Sequence, residues 1–595
     1  MAKSMQHRGP DAEGIALFNH QSTYVGLVHR RLSILDLDER SHQPMKNNDD
    51  TITVVYNGEI YNFKDIKSNL ESEYEFNTTS DTEVIVAAYQ VYGIEFVKKM
   101  IGIFSIAIYD HTMGKLFLIR DRHGVKPLYY YHNHHECVFA SELRPIMNFD
   151  GFNPIIDKEA VQVMLAMKYI PAPKTIFMDV FKVKPGSVLT FHEGKLVNEW
   201  IYWDSAEEFV KTKKQKQQPE DYLHVLDKAV SGNLISDVGV ATFLSGGIDS
   251  SLVSALAHKH KQNIMSYTIG FEEKEYDESP YAKEVAKALS INNKTFILNY
   301  DHMVEVALKL PEIYDEPFGD SSQIPTYLIS KAVADDGVKV VLSGDGGDEF
   351  FYGYNFYDSA EKRQKKYRLL HPIAKVYHKL NHWHNYRLPG YGAYLMSDLT
   401  SYYYGLYSGF SGYYAYRAMR QKKLPSFFKQ SFAFLNDLSS LDPREINSLF
   451  GQKIYMIDDI AVKVDRASMA NGLESRVPLL DHPVSLKAYE ATVNEHMKNK
   501  EKKYILKVVL EMFVPKALFN RKKQGFAVPL IKLLNEPKIK EKIFAFSQKD
   551  RLNQQNLFNY KMVQKILKKF YRYHDKNTTN FVWNYFVFQL WLTRT

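Results

Sequence analysis

Cysteine is nearly absent from this chain: one, Cys137, in 595 residues. A disulfide framework and a multi-cysteine metal site are thereby excluded, and the usage fits a reducing cytoplasm. Long apolar runs are missing too. The most apolar stretch, residues 581–592, is interrupted by Asn584 and Gln589 and falls short of the ~20 residues a membrane span needs. The opening MAKSMQHRGPD has no apolar core and does not read as a signal peptide. Neither sign of charge dominates. Lys plus Arg number 76 against 69 for Asp plus Glu, a net +7 over the whole length. So mild an excess points to neither nucleic acid nor a membrane as partner. A soluble, cytoplasmic protein is expected.

The length is too great for one core and suggests two to four domains. Up to about residue 203 the chain holds short strand-like runs, at 51–56, 102–109, 116–119 and 138–140. They are split by turn dipeptides such as Asn57-Gly58 and His123-Gly124, a pattern of antiparallel sheets. Polar, unpatterned KTKKQKQQPED (211–221) follows and reads as a linker, giving expected divisions of 1–203, 204–221 and 222–595. Beyond it, apolar runs at 239–244, 265–269, 295–298 and 338–342 alternate with helix-like segments, which suggests a parallel sheet covered on both faces. Helical patterns dominate from about Phe350. The tyrosines between Tyr352 and Tyr416 read as packing, because no basic stripe accompanies them.

FLSGGIDSS (243–251) follows a strand directly and opens a helix. Glycines there let the backbone approach a phosphate, and serine hydroxyls with the free N–H groups of the helix start bind the anion. Asp249 is suited to Mg²⁺, which neutralises released pyrophosphate. The loop resembles that of the N-type ATP pyrophosphatases and carries no Walker A pattern. A second buried-type strand ends in SGDGGDE (343–349), placed at the C-terminal sheet edge beside the first loop, where open α/β sheets bind ligands. Asp348 is expected to share Mg²⁺ with Asp249, and Asp345 to lie near the reacting groups.

With both loops placed, the chain resembles the glutamine-hydrolysing asparagine synthetases over nearly its whole length. The synthetase half matches at SGGIDSS (245–251), DEPFGDSSQIPTY (315–327), LSGDGGDE (342–349), VDRASMANGLESRVPLLDH (464–482) and RKKQGFAVP (521–529). The resemblance implies an α/β parallel-sheet ATP-pyrophosphatase domain of the HUP-like kind with a helical C-terminal part. Its chemistry would be adenylation of aspartate to β-aspartyl-AMP, followed by displacement of AMP by ammonia. ATP would lie against Leu244, Ser245, Gly246, Gly247, Asp249, Ser250, Ser251, Ile269, Ser343 and Gly344. Lys523 would stabilise charge developing on the phosphate. Asp345 stands where other members carry glutamate, one methylene longer.

The N-terminal half resembles class II glutamine amidotransferases, an α+β sandwich of the Ntn type, at HRGPD (7–11), HRRLSILD (29–36), NGEIYN (57–62), SDTEV (80–84), RDRHGVKPLYY (120–130) and FASE (139–142). Arg31, Asn57, Gly58, Glu59 and Asp81 would bind glutamine, with the Asn57 side chain and Gly58 N–H as oxyanion hole. In that class the nucleophile is a cysteine at the mature N-terminus, a couple of dozen residues before HRGPD. Only six residues precede His7 here and none is cysteine. The half therefore reads as N-terminally incomplete, and the chain as written is not expected to hydrolyse glutamine. Mid-chain Cys137 has no free amine beside it and reads as structural. Aspartate, ATP and glutamine or ammonia are the implied partners, and a homodimer stays open. Relatives that use the same adenylation to close a β-lactam or peptide ring, or to amidate a sugar acid, form the alternative; a pseudoenzyme or tRNA-binding module retains least support.

Overall fold

The computed structural model describes residues 1–20, 23–133, 135–381, 398–420, 425–426, 431–521 and 528–594. Before residue 203 the strands are β1 (Ala12–His20), β2 (Thr23–Arg31), β3 (Met45–Lys46), β4 (Ile52–Ile60), β5 (Gly102–Asp110), β6 (Lys115–Arg120), β7 (Tyr129–His132), β8 (Cys137–Ala140), β9 (Val180–Lys182), β10 (Ser187–His192) and β11 (Lys195–Ile201). All pair antiparallel, as β1-β2, as six strands in the order β11-β10-β6-β5-β4-β3, and as β8-β7-β9. The helices Phe63–Leu70 and Asp81–Tyr92 bury Phe63, Ile66, Val84 and Ile85 in one apolar cluster with Val54, Ile106 and Ile119 of the large sheet.

The expected turn at Asn57-Gly58 does not form. Both residues lie inside β4, opposite Ser105 and Phe104 of β5. Gly58 has φ of +150°, and a Cβ there would stand 2.0 Å from the Ile103 carbonyl oxygen. The glycine serves a close strand-to-strand approach rather than a reversal.

The expected parallel sheet is present. β12 (Val240–Phe243), β13 (Met265–Phe271), β14 (Asn292–Leu298), β15 (Val340–Leu342) and β16 (Glu474–Arg476) run parallel in the order β14-β13-β12-β15-β16. The last was not anticipated: Glu-Ser-Arg is short and polar, and nothing in its pattern reads as a strand. Glu474 and Arg476 are buried as an ion pair rather than as apolar surface. Helices dominate beyond Phe350, and Tyr352, Tyr357, Tyr402, Tyr403 and Tyr404 are buried, which agrees with a packing role.

Part of the 204–221 segment is ordered as a helix, Ser205–Lys211, whose N-cap Asp204 accepts from the N–H groups of Ala206 and Glu207 and whose Phe209 is buried. The irregular residues after it are tied down: Gln215 N–H donates to the Glu490 carbonyl (2.9 Å) and Lys214 Nζ to that of Tyr489 (2.7 Å). Buried ion pairs join the two halves. Arg8 holds Asp465 at 2.7 Å, and Arg466 holds Glu142 at 2.7 Å and Asp315 at 3.3 Å. Among the described residues no helix is long and apolar enough to cross a membrane.

Candidate active sites

The loops after β12 and β15 leave neighbouring strands at the same sheet edge, so parallel pairing alone brings them together. Gly246 takes φ of +70° and Gly247 caps the helix Ile248–His260. Ser250 Oγ lies 2.9 Å from Ser245 Oγ and accepts the Ser245 N–H at 3.2 Å, closing the first loop on itself. Leu244 is buried, its N–H donating to Tyr267 and its carbonyl accepting from Thr268 Oγ1 (2.7 Å). Ile269 is buried on β13, and Ser251 on the first turn of the helix. Contact between the loops is direct. A Cβ at Gly344 would meet Ser250 N at 2.7 Å, and one at Gly347 would meet Asp249 Oδ1 at 2.4 Å. Ser343 Oγ donates to Asp345 Oδ2 at 2.8 Å, which orients that carboxylate at the loop entrance.

Asp249 and Asp348, the two acids expected to share a metal, do converge. Between them lies Lys503, whose ammonium hydrogen-bonds Asp249 Oδ2 and stands 2.7 Å from Asp348 Oδ1. Burial opposes its charge, yet the two carboxylates outweigh burial and raise its pKa. Lys503 also adopts φ of +53°, uncommon for a residue with a side chain, so this placement is held by its surroundings. Sequence reasoning missed it, since KKYILK carries no motif. Beside Asp348, Glu349 is buried and accepts from Tyr354 Oη at 2.5 Å. Burial, then the Asp348 charge, lifts its pKa from 4.5 to about 7. Lys523 lies outside the described residues.

The second site is a cavity of about 180 Å³ in the N-terminal half, and Arg31, Asn57, Gly58, Glu59 and Asp81 all line it. Arg31 donates to the carbonyls of Leu35, Asp36 and Asp38, which stiffens the loop it borders. Asp81 opens the helix Asp81–Tyr92 and accepts from Tyr56 Oη (2.8 Å) and the Ile60 N–H (3.0 Å); burial still raises its pKa to about 6. Asn57 Nδ2 reaches Ser141 Oγ at 3.5 Å. Cys137 is not among the lining residues, and burial pushes its thiol up to about 12, far from a reactive thiolate.

One residue touches both sites. The Arg476 carbonyl on β16 accepts the Ser343 N–H (2.9 Å) next to the nucleotide-type loops. Its fully buried guanidinium reaches Glu59 Oε1 at 2.7 Å in the cavity wall and Glu474 Oε1 at 2.8 Å, while Lys126 Nζ takes the other Glu474 oxygen at 3.0 Å.

A strand–SGGIDSS–helix loop against an acidic loop on the next parallel strand, joined to a half with an amidotransferase-type cavity, defines a two-domain ligase of the ATP-pyrophosphatase kind. The family model for asparagine synthase matches residues 221–593 and that for a glutamine amidotransferase domain residues 1–203. The chain belongs to the asparagine synthase family. It is 33% identical over 549 residues to asparagine synthetase [glutamine-hydrolyzing] 1 of Bacillus subtilis, covering 89% of this chain and 83% of that one. It is 40% identical over 375 residues to putative asparagine synthetase [glutamine-hydrolyzing] 2 of Methanocaldococcus jannaschii, covering 60% and 72%. Among solved structures, a glutamine phosphoribosylpyrophosphate amidotransferase from B. subtilis aligns at 13% identity over 50% of this chain and 76% of that chain, with a TM-score of 0.26.

Proposed function

We propose that the chain is an ATP-dependent asparagine synthetase that activates the aspartate side-chain carboxylate as an acyl-adenylate and transfers ammonia to it. The abutment of the two loops around Asp249, Asp348 and Lys503 carries the reading, together with family membership. ATP is read as lying along Leu244, Ile269 and Ser343-Gly344, with its leaving pyrophosphate over residues 245–251, where helix-start N–H groups and serine hydroxyls favour an anion. Lys503 already sits at that end, a fixed ammonium where charge collects on the leaving group.

Asp249 and Asp348 fit Mg²⁺ as a pair of carboxylates close enough to share one cation, the donor set Mg²⁺ uses when substrate phosphates complete its shell. Bound there, the ion would neutralise charge on the departing pyrophosphate. Among the described residues no group of three or more acidic, histidine or cysteine side chains forms a closed metal cage, which fits binding through the nucleotide. Asp345, oriented by Ser343, is read as facing the reacting carboxylate and the attacking amine, and Lys523 as acting on the phosphate.

The cavity supplies polar contacts for glutamine, so glutamine or free ammonium is the nitrogen donor under this reading. The deciding experiment supplies ATP, Mg²⁺, ammonium and L-aspartate and follows asparagine, AMP and pyrophosphate together. Pyrophosphate release supported by another acid and not by aspartate refutes the reading.

A further inference from the structure

The mild positive excess of the chain is not spread along it. Residues 537–576 hold 11 Lys and Arg against three Asp and Glu, a net +8, while the whole chain carries +7. The segment forms three helices, Pro537–Phe546, Lys549–Gln555 and Tyr560–Tyr573. The last of them is two-sided. Val563, Ile566, Leu567 and Phe570 are buried, and Lys561, Lys565, Lys568 and Arg572 are exposed. At 3.6 residues per turn these four cations and Lys569 fall within an arc of about 100°, opposite the buried stripe. From Lys561 to Arg572 the row spans about 16 Å of helix axis.

Such a face opposes the helix that carries it. Lys561 and Lys565, Lys565 and Lys569, and Lys568 and Arg572 stand four positions apart, and like charges at that spacing destabilise a helix. Elsewhere the chain fills the same spacing with opposite charges, as in Lys211 with Glu207, Lys309 with Glu305 and Lys331 with Asp335. On Tyr560–Tyr573 only Lys569 approaches a carboxylate among the described residues, that of Asp575 at 4.0 Å. The residues outside the described set include no Asp or Glu, so none of them supplies a missing carboxylate.

Aromatic rings stand at both margins of the row. Tyr573 is 61% exposed, with Lys568 Nζ 5.8 Å and the Arg572 guanidinium 5.9 Å from its ring centre. At the other margin Tyr571 lies against the exposed Phe544, 5.2 Å between ring centres, and Lys540 Nζ stands 5.1 Å from the Tyr571 ring. Cations in a row between rings fit a single-stranded nucleic acid, whose phosphates take the charge and whose bases stack on aromatic faces. A bilayer fits poorly, since the apolar side chains that would enter it are part of the protein core. An acidic peptide would use the charge and has no need of the rings.

We infer that the exposed face of Tyr560–Tyr573, with Lys540 and Phe544 beside it, is a docking surface for single-stranded nucleic acid. Lys561, Lys565, Lys568 and Arg572 hold phosphates, and Tyr573 stacks under a base. This function is separate from amide synthesis, and none of these residues belongs to either candidate site.

The test titrates a labelled oligo(U) of about 20 nucleotides, longer than the strand such a face covers, with the intact protein and follows fluorescence anisotropy as salt is raised. Four phosphate contacts predict that log K falls with log salt at a slope of about −3. Lys565→Gln combined with Lys568→Gln should weaken binding by at least about 10-fold and flatten that slope by about 1.4. Aspartate-dependent pyrophosphate release should be unchanged in this variant and its thermal unfolding midpoint kept or raised, because like-charge neighbours are removed. Tyr573→Ala should weaken binding by about 10-fold with the slope unchanged. Absence of oligo(U) binding at about 50 mM salt overturns the proposal, as does binding that the double variant keeps in full. Vesicles of phosphatidylcholine and phosphatidylserine supply the rival surface. Tighter binding to them than to oligo(U), lost in the double variant, assigns the face to a membrane and overturns the proposal. Inorganic polyphosphate of equal charge bound as tightly as oligo(U) overturns it too, since the bases would then contribute nothing. Should the double variant fail to fold, the salt slope of the intact protein and Tyr573→Ala decide in its place.

Discussion

The two candidate sites both gather carboxylates and neutralise them differently. At the nucleotide-type loops one ammonium, Lys503, serves Asp249 and Asp348, and a phosphate or metal can compete for any of the three. In the amidotransferase-type cavity, Glu59 and Glu474 are locked to Arg476, which also donates to the carbonyls of Asn233 and Ile235. A guanidinium whose five donors stand in a fixed fork is a structural part, whereas a lysine point charge can be shared with a ligand. Shared and locked charge thus stand close together, Asp348 just past β15 and Arg476 on the neighbouring β16.

Removing the rigid charge should have the largest effect. Arg476→Met leaves Glu59 and Glu474 buried without their cation and is expected to lower stability by about 3–5 kcal/mol, measured by urea unfolding. A loss below 1 kcal/mol would show that the cavity pairs are not locked. Removing the exchangeable charge should spare the fold and harm chemistry. Asp249→Asn is expected to cut aspartate-dependent pyrophosphate release by roughly 100-fold, since it removes metal-neutralising charge. Unchanged thermal unfolding beside that loss separates the two kinds of site.

A third test sharpens the comparison through pH. Glu349 titrates at about 7 in the fold against 4.5 ordinarily, because burial and Asp348 oppose its charge. Below pH 4.5 both states hold the proton and no penalty exists. As pH rises from 4.5 to 7 the folded form is progressively disfavoured, and above 7 the cost is full. Glu349→Gln should therefore gain stability over the parent as pH goes from 5 to 8, by about 2 kcal/mol. A difference that does not change with pH would place the shift elsewhere. The smallest effect belongs to Cys137→Ser, expected to leave ammonium-dependent synthesis within error and stability within about 1 kcal/mol. Glutamate release from glutamine that disappears in this variant would return Cys137 to the chemistry.

Much was legible in the sequence because it was local. Strands β12, β13 and β15 announce themselves as apolar runs, and the glycine–serine–acid order after β12 marks the loop between that strand and its helix. Asn57-Gly58 misled as a turn, since a dipeptide carries the freedom to reverse but not the neighbouring strand that decides whether it does. β16 was unreadable because Glu474 and Arg476 are charged, and Lys126 and Glu59, which pair with them from outside the strand, lie hundreds of positions away.

By itself, then, the order of residues announced the two halves, the glycine-rich loops and five of the residues that line the N-terminal cavity, through short local motifs. Only the tertiary structure decided which charges meet. Lys503 reaches Asp249 across 254 positions, and Arg476 lies buried between Glu59 and Glu474. Ion pairing depends on distance in space, and no periodicity along the chain records it.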